Sequence, residues 1–209
     1  MRQEVLDKAR EDPRGTPARI LDAAEDVFAA EGYAGASMRD IARRADVPFG
    51  ALHYHWGSKK QLWEAVFTRL GDRTRDTIMR NLKPGNTAGE LIDNLVDSFL
   101  DLLISKPNTV RLAFRMALER DEMRLLSIRR MFADLARLGT SVFERLMPQT
   151  TIDPPAAIFV ISAAFMGALA DVDGQEDMLG GSVYTSKSAR ERLRAELKRV
   201  SRLVFQVAE

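Results

Sequence analysis

The sequence predicts an all-α fold of about nine helices, made of an N-terminal three-helix head and a C-terminal helical bundle. Apolar residues recur at intervals of three and four along most of the chain, the spacing of one helix face, and strand-like alternation is absent. Serine or threonine, which are common N-cap residues, precedes several of these apolar segments. Breakers such as Lys83-Pro84-Gly85 and Gly180-Gly181 separate one pattern from the next.

The head is expected over residues 16–70, after a flexible arm at 1–15. Thr16 and Pro17 predict the start of the first helix, because threonine is a common N-cap and proline suits the first helical position. Gly32 predicts where this helix ends. The apolar residues between them share one face, so we expect an amphipathic helix.

Two shorter helices follow in the head. Ser37 is the N-cap candidate of a two-turn helix, and after a tight connection at Asp46, Pro48 opens a second short helix over 48–55. Two short helices joined by a turn form a helix-turn-helix candidate.

A longer helix is expected from Ser58 to Met79, because Ser58 and Gln61 match a capping box. Residues 34–70 contain six basic and three acidic side chains, a local surplus of three, whereas the whole chain has 31 Lys+Arg, 30 Asp+Glu and a net charge of +1. Attraction to a polyanion must therefore be local. A solvated helix face gives the same surplus, so its position is more informative than its size.

The composition narrows the class of protein. Cysteine is absent, which excludes disulfides and thiolate chemistry, and no nucleophile–base or phosphate-cradling pattern indicates an enzyme. Met1–Gly15 lacks the apolar run of a signal peptide, and the longest apolar run, Ala156–Ala170, is shorter than the roughly 20 residues of a membrane span. We therefore expect a cytoplasmic protein without a membrane segment or a cofactor.

The segment AEDVFAAEGYAGASMRDIARRADVPFGALHYHWGSKKQLWEAV resembles the N-terminal signature of TetR-family regulators. Many agreements in order are more specific than one short motif. Asp46 stands where the family usually has a turn glycine, and His53 where a tyrosine is common. Because aspartate tolerates left-handed backbone, we expect the turn to form. The matching positions are Phe28, Gly32, Tyr33, Ser37, Ile41, Ala42, Val47, Gly50, Leu52, His55, Ser58, Lys59 and Leu62.

The resemblance implies sequence-specific binding of the head to a double-stranded DNA operator. Arg39 is a candidate for reading a guanine edge, with a phosphate contact or a solvated side chain as alternatives. Phe49 either meets a thymine methyl group or packs against the first or second helix. Phosphate positioning is expected of Ser37, His53, Tyr54, His55 and Lys59. The complete set expected at DNA is Ser37, Arg39, Pro48, Phe49, Gly50, Ala51, His53, Tyr54, His55 and Lys59.

The histidines also suggest a test for a metal site. His53 and His55 are two positions apart on a helix and point to different faces, unlike the i, i+4 pair that grips zinc. We therefore predict no metal site in the head. The acidic residues of a polar loop at 171–188 do not match a calcium-binding loop either, and a solvated loop is the preferred interpretation.

The body is expected over residues 71–209. Ala156–Ala170 is apolar nearly all round, and Ser188 and Glu191 form a capping box before a further amphipathic helix. The resemblance implies a homodimer through these last two helices, with packing inside one chain as the alternative. The apolar stripe of the last helix comprises Leu193, Leu197, Val200, Val204 and Val207.

The resemblance also implies a repressor whose small-molecule effector shifts the Ser58–Met79 helix and releases DNA. The alternative is a constitutive DNA-binding protein without an effector. Arg111, Arg115 and Glu119 are spaced to contact a ligand or to form a surface ion-pair ladder, which we prefer. Side chains that line a ligand pocket, or else the ordinary core, are Phe99, Leu103, Phe114, Met131, Phe132, Leu135, Phe165 and Met166.

Overall fold

A computed structural model describes residues 15–118, 122–148 and 151–207, with side chains in those ranges except at 116–132. This part of the chain is helical and contains no strand, which confirms the all-α class with one helix more than expected. All of the expected N-terminal arm except Gly15 lies outside the described residues. The ten helices are α1 (Thr16–Gly35), α2 (Met38–Arg44), α3 (Phe49–Trp56), α4 (Lys59–Asn81), α5 (Ala88–Ser105), α6 (Pro107–Leu118), α7 (Glu122–Leu146), α8 (Pro154–Ala170), α9 (Val172–Leu179) and α10 (Lys187–Val204).

The described residues form two compact units. The first contains those up to Leu70 together with those of Arg111–Arg129, and the second contains Gly71–Val110 and the residues from Arg130 onward. The first unit is thus built from two separate stretches of chain. Three helices, α4, α6 and α7, have residues in both units.

An aromatic cluster fills the core of the first unit. The Trp63 ring of α4 packs in T-shaped geometry with Phe28 of α1, at a centroid distance of 4.8 Å, and with Tyr33, at 5.2 Å. Beside it, Arg69 donates to the buried Glu25 at 2.6 Å and to Asp22 at 2.8 Å. Apolar and ionic contacts therefore both join α1 to α4.

The start of α1 differs from the prediction. Gly15 is the N-cap and makes no side-chain hydrogen bond, while Thr16 is the first helical residue, so the prediction of a Thr16 cap is wrong. The break at Gly32 is confirmed, because its φ of 72° interrupts the helical backbone before the chain continues to Gly35. Only glycine enters this backbone region at low cost.

Ion pairs join α5 to α10 in the second unit. α5 begins with a capping box between Thr87 and Glu90. Three acidic residues, each four positions after the last, then face three basic residues of α10 with the same spacing, which sets the register of the two helices. The pairs are Asp93–Arg202 at 2.8 Å, Asp97–Lys198 at 2.7 Å and Asp101–Arg194 at 2.6 Å.

The N-cap of α10 lies two residues before the predicted one. The hydroxyl of Ser186 accepts from the backbone N–H of Ala189 at 3.2 Å, so the predicted capping box at Ser188 and Glu191 is wrong. Its predicted apolar stripe also divides: Leu193 and Leu197 are buried within the unit, whereas Val200 lies at the surface.

Residues 171–188 are not the polar loop that the composition predicted. Asp171 caps α9 by accepting from the N–H of Gly174 at 2.9 Å. The buried Gln175 then donates to the carbonyl of Ala168 at 2.7 Å and accepts from the N–H of Val183 at 3.0 Å. The tertiary hydrogen bonds of one side chain, Gln175, thus order a short polar helix. The spacing of apolar residues does not reveal a helix of this kind.

Within the described ranges, no single helix has both the length and the apolar composition of a membrane span. α8 and α9 have this length and composition only when they are counted as one segment, and the chain bends by 88° between them.

Candidate nucleic-acid interface

The helix-turn-helix begins at a serine cap. The Ser37 hydroxyl accepts from the backbone N–H of Arg39 at 3.2 Å, which confirms Ser37 as the N-cap of α2. Ile41 and Ala42 are buried and fix α2 against the rest of the first unit. The cap therefore positions both Ser37 and Arg39 at the exposed start of the helix.

Asp46 forms the turn between α2 and α3. Its φ is 54°, which confirms the left-handed backbone expected where the family has glycine. The N–H of Asp46 donates to the carbonyl of Arg43 at 3.2 Å and that of Val47 to the carbonyl of Ala42 at 3.0 Å. These two bonds complete a Schellman motif, so the turn satisfies carbonyls that the end of α2 would leave unpaired.

α3 presents a mixed aromatic and small-residue face. Leu52 and Trp56 are buried, which holds the helix to the first unit, whereas Phe49 is 46% and Tyr54 83% exposed. A Cβ on Gly50 would meet no atom within 4 Å. The remaining predicted residues lie on the same short helix or at its start: Pro48 as N-cap, Ala51 half-buried, His53 exposed and His55 half-buried.

The exposed rings of α3 contact one another. Phe49 and His53 stack at a centroid distance of 6.1 Å with 24° between their planes, and Tyr54 meets His55 edge to face at 5.2 Å. Phe49 therefore does not take the buried place against α1 or α2 that the alternative interpretation gave it.

The three arginines of α2 have different surroundings. Arg43 pairs with Asp40 at 2.9 Å and Arg44 with Asp26 of α1 at 3.5 Å. Arg39 is exposed and makes no ion pair or side-chain hydrogen bond with the described residues. Its guanidinium is thus the one on α2 whose donors the described residues do not occupy.

Lys59 lies at the start of α4 and already has protein contacts. Its ammonium donates to the carbonyl of Ala34 at 3.2 Å and lies 4.8 Å from the centroid of the Tyr33 ring. The preceding Ser58 forms the predicted capping box with Gln61: the Ser58 N–H donates to Gln61 at 3.0 Å and the Gln61 N–H to Ser58 at 3.3 Å. Lys59 therefore joins the end of α1 to α4.

Among the described residues, no three histidine or acidic side chains converge as a metal site would require. One oxygen of Asp171, in the acidic segment of the body, is engaged as the cap of α9.

The residues predicted to line a ligand pocket are divided between the units. Phe114 is half-buried in the first unit. In the second, Phe165 is buried and four others are half-buried: Phe99, Leu103, Leu135 and Met166. The side chains of Met131 and Phe132 lie outside the described residues. The pocket remains a prediction.

Arg115 has a role in the head that its spacing did not reveal. It donates to the carbonyl of Ala30 at 2.8 Å, which lies just before the backbone break at Gly32. The ion-pair ladder predicted for Arg111, Arg115 and Glu119 stays a prediction, because Glu119 lies outside the described residues. A break in a helix leaves backbone carbonyls without helical partners. Arg115 is distant from Ala30 in the sequence, so only the fold reveals that it donates to this carbonyl.

Comparison with known proteins supports the assignment of this region. The family model for bacterial regulatory proteins of the tetR family matches residues 20–66. The HTH-type transcriptional repressor Rv3405c of Mycobacterium tuberculosis is 39% identical over 80 residues, which cover 38% of this chain and 40% of that relative. The HTH-type transcriptional activator FasR of Mycolicibacterium smegmatis is 31% identical over 105 residues, covering 50% and 47%. The chain thus spans less than half the length of either relative.

A solved structure extends the similarity in fold. The transcriptional regulator FadR from Bacillus subtilis, in complex with stearoyl-CoA, has a TM-score of 0.67 and 16% sequence identity, with 88% of this chain and 96% of that chain covered. At this identity the likeness concerns the fold alone. Residues 20–66 therefore match the helix-turn-helix domain of bacterial regulatory proteins of the tetR family, and the described helices share the all-α fold of this solved structure.

Proposed function

We propose that this chain is a sequence-specific DNA-binding transcriptional regulator, a homodimeric repressor that a small-molecule effector releases from its operator. The observation that carries the DNA-binding part is the face of α3, where Phe49 and Tyr54 are exposed while Leu52 and Trp56 anchor the helix. An α-helix fits the major groove, and a helix held rigidly from behind presents its exposed face in one orientation.

Arg39 of α2 supplies hydrogen-bonding capacity beside this face. An arginine whose fork is not engaged in the protein can bond bidentately to the O6 and N7 of guanine. Ser37, His53, Tyr54, His55 and Lys59 are the proposed phosphate contacts, which orient the head without reading sequence.

Operator selection from random duplexes, followed by titration of the wild type and two variants, tests this proposal. We expect Arg39→Ala to weaken binding to the selected operator by about 5- to 150-fold, the cost of one bidentate base contact, and to affect a random duplex much less. Arg43→Ala is the matched control: it removes an arginine from the same helix, but one that is paired with Asp40.

Equal losses on both duplexes would assign Arg39 to the phosphate backbone. A wild type that selects no sequence would contradict the proposed function itself.

Homodimerisation is supported by an apolar face on α8. Phe159 is 72% exposed and Val160 is also exposed, and small residues continue the same face along the helix. On α10, Leu203 is 67% exposed. Exposed apolar patches of this kind mark interaction sites. A two-fold dimer would place two copies of α3 about one DNA turn, roughly 34 Å, or a multiple of it, apart.

Effector control rests on α4, which continues from the first unit into the second. The B. subtilis FadR structure is a complex with stearoyl-CoA, and an apolar acyl compound suits the Phe- and Met-containing body proposed here. The effector acts only if it binds the DNA-free conformation more tightly. Operator affinity that stays constant at saturating effector would remove this part of the proposal. Such a regulator works in the cytoplasm, where its operator lies.

A further inference from the structure

Two stacked aromatic rings lie at the start of α3. We propose that Phe49 and His53 form one specificity unit that selects a thymine in each operator half-site, with Phe49 packing on the 5-methyl group and His53 positioning the Phe49 ring. This rests on the proposed DNA-binding function and names the base that the same face would read.

Phe49 lies on the exposed face of α3, whereas the opposite face of this helix is anchored in the first unit. It is 46% exposed at the first position of α3, although the next turns of the same helix bury Leu52 and Trp56. Its ring cannot donate or accept a hydrogen bond, so a phosphate or a polar base edge gives it nothing to bind. The exposed surface of the Phe49 ring therefore suits an apolar partner from outside the chain.

The chemistry of the groove identifies that partner. Of the groups that unmodified base pairs present in the major groove, the C5-methyl of thymine is the apolar one. Gly50, beside Phe49, has open space around its Cα, so no side chain prevents the helix from approaching the base edge. A ring at the helix start also suits the groove, because N-terminal residues of recognition helices contact base edges.

His53 determines where the Phe49 ring lies. Helical side chains lean toward the N-terminus, so the imidazole one turn later covers the Phe49 ring, at a centroid distance of 6.1 Å and an interplanar angle of 24°. Offset stacking at such a centroid distance is one of the arrangements that aromatic pairs prefer. His53 is therefore a positioning residue, and its own ring is exposed to the same groove.

The test uses the full chain and its selected operator, in which each thymine is replaced in turn by deoxyuridine. This substitution removes one methyl group and preserves base pairing. At one thymine position of a half-site, we expect deoxyuridine to lower the affinity of the wild type about fourfold, the cost of one lost methyl contact. The same substitution in both half-sites should lower the affinity about 15-fold. Phe49→Ala should bind the thymine and deoxyuridine operators equally.

Variants of His53 separate positioning from a phosphate contact. His53→Ala should reduce the thymine-to-deoxyuridine ratio, and His53→Phe, which retains a stacking ring, should restore it. If His53 acted only on phosphate, His53→Ala would weaken both operators alike and leave the thymine-to-deoxyuridine ratio unchanged. That result would overturn its positioning role.

Tyr54→Ala is the matched control, because it removes an exposed ring of the same helix that meets His55 edge to face and does not stack on Phe49. It should weaken both operators alike and leave their ratio unchanged. A wild type that binds its operator selectively but is indifferent to every deoxyuridine overturns this inference alone, whereas a wild type without any selective operator overturns the proposed function.

Discussion

Glu25 shows how one residue can fix the head. It is only 5% exposed, yet its carboxylate accepts from the Arg69 guanidinium at 2.6 Å, which joins α1 to α4. A buried charge without a partner is costly, because the protein interior does not replace its hydration. The Arg69–Glu25 pair therefore contributes to stability more by avoiding that cost than by the attraction between its two charges.

Arg69→Ala should lower the free energy of unfolding by about 3 to 5 kcal/mol, because it removes the guanidinium that donates to the buried Glu25 and to Asp22. Urea denaturation followed by circular dichroism measures the change. Arg75→Ala is the control, since Arg75 is paired with Asp72 at 3.0 Å but is half-exposed, and we expect a loss below about 1 kcal/mol. Equal losses in the two variants would show that burial of Glu25 is not the cause.

Asp46 and Ser186 show what single residues reveal before a structure is known. The left-handed turn at Asp46 was predictable because few residues other than glycine tolerate that backbone, and its φ of 54° confirms it. The cap of α10 was not, because Ser186 and Ser188 both precede the apolar stripe and local chemistry does not choose between them. The site residues of α3 were predictable as a face, whereas the Phe49–His53 stack depends on rotamers that spacing does not specify.

At the scale of elements, the acidic row of α5 and the basic row of α10 determine how these helices pair. Arg202 donates twice to Asp93, and these hydrogen bonds hold the pKa of the Asp93 carboxyl below its ordinary value of 3.8, against a smaller opposing effect of burial. Because the pKa is lowered in the folded chain, this contribution to stability is complete above the ordinary value. It is lost as the pH falls through the lowered one.

Asp93→Asn should therefore cost about 1 kcal/mol of unfolding free energy near neutral pH and progressively less as the pH falls below about 4. Urea denaturation of both proteins over this pH range measures the difference. Taking the difference cancels other acid-sensitive groups, such as Glu90, whose pKa the Thr87 hydrogen bonds lower. A difference that is constant with pH would show that the ionised Asp93 is not what stabilises the pair.

The element α9 marks the limit of sequence reasoning at this scale. Its eight residues lack a long apolar stripe, and the buried amide of Gln175 orders them through partners seven and eight positions away. By contrast, α1 to α4 follow from apolar spacing, from the caps at Ser37 and Ser58 and from family likeness, since each of those signals is local.

At the scale of the whole molecule, the exposed apolar face of α8 and α10 is the proposed interface with a second copy of the chain. Phe159→Asp and Leu203→Asp should each shift the protein toward monomers, because each would bury a carboxylate in the proposed interface. Sedimentation velocity at micromolar concentration measures this, with circular dichroism to confirm that the variants fold.

Met178→Asp is the control for this prediction. Met178 is also largely exposed, but it lies on α9, outside the proposed face, so its substitution should leave the dimer intact. A wild type that sediments as a monomer would remove the homodimer from the proposed function.

The hydrogen bond from Arg115 to Ala30 has a consequence for how the protein emerges during synthesis. The first unit contains both the residues up to Leu70 and those of Arg111–Arg129, and Arg115 belongs to the later stretch. Domains generally fold in order from the N-terminus as they are translated. The hydrogen bond to Ala30 can therefore form only after about forty further residues have been translated, a delay of roughly 2 to 8 s at typical elongation rates.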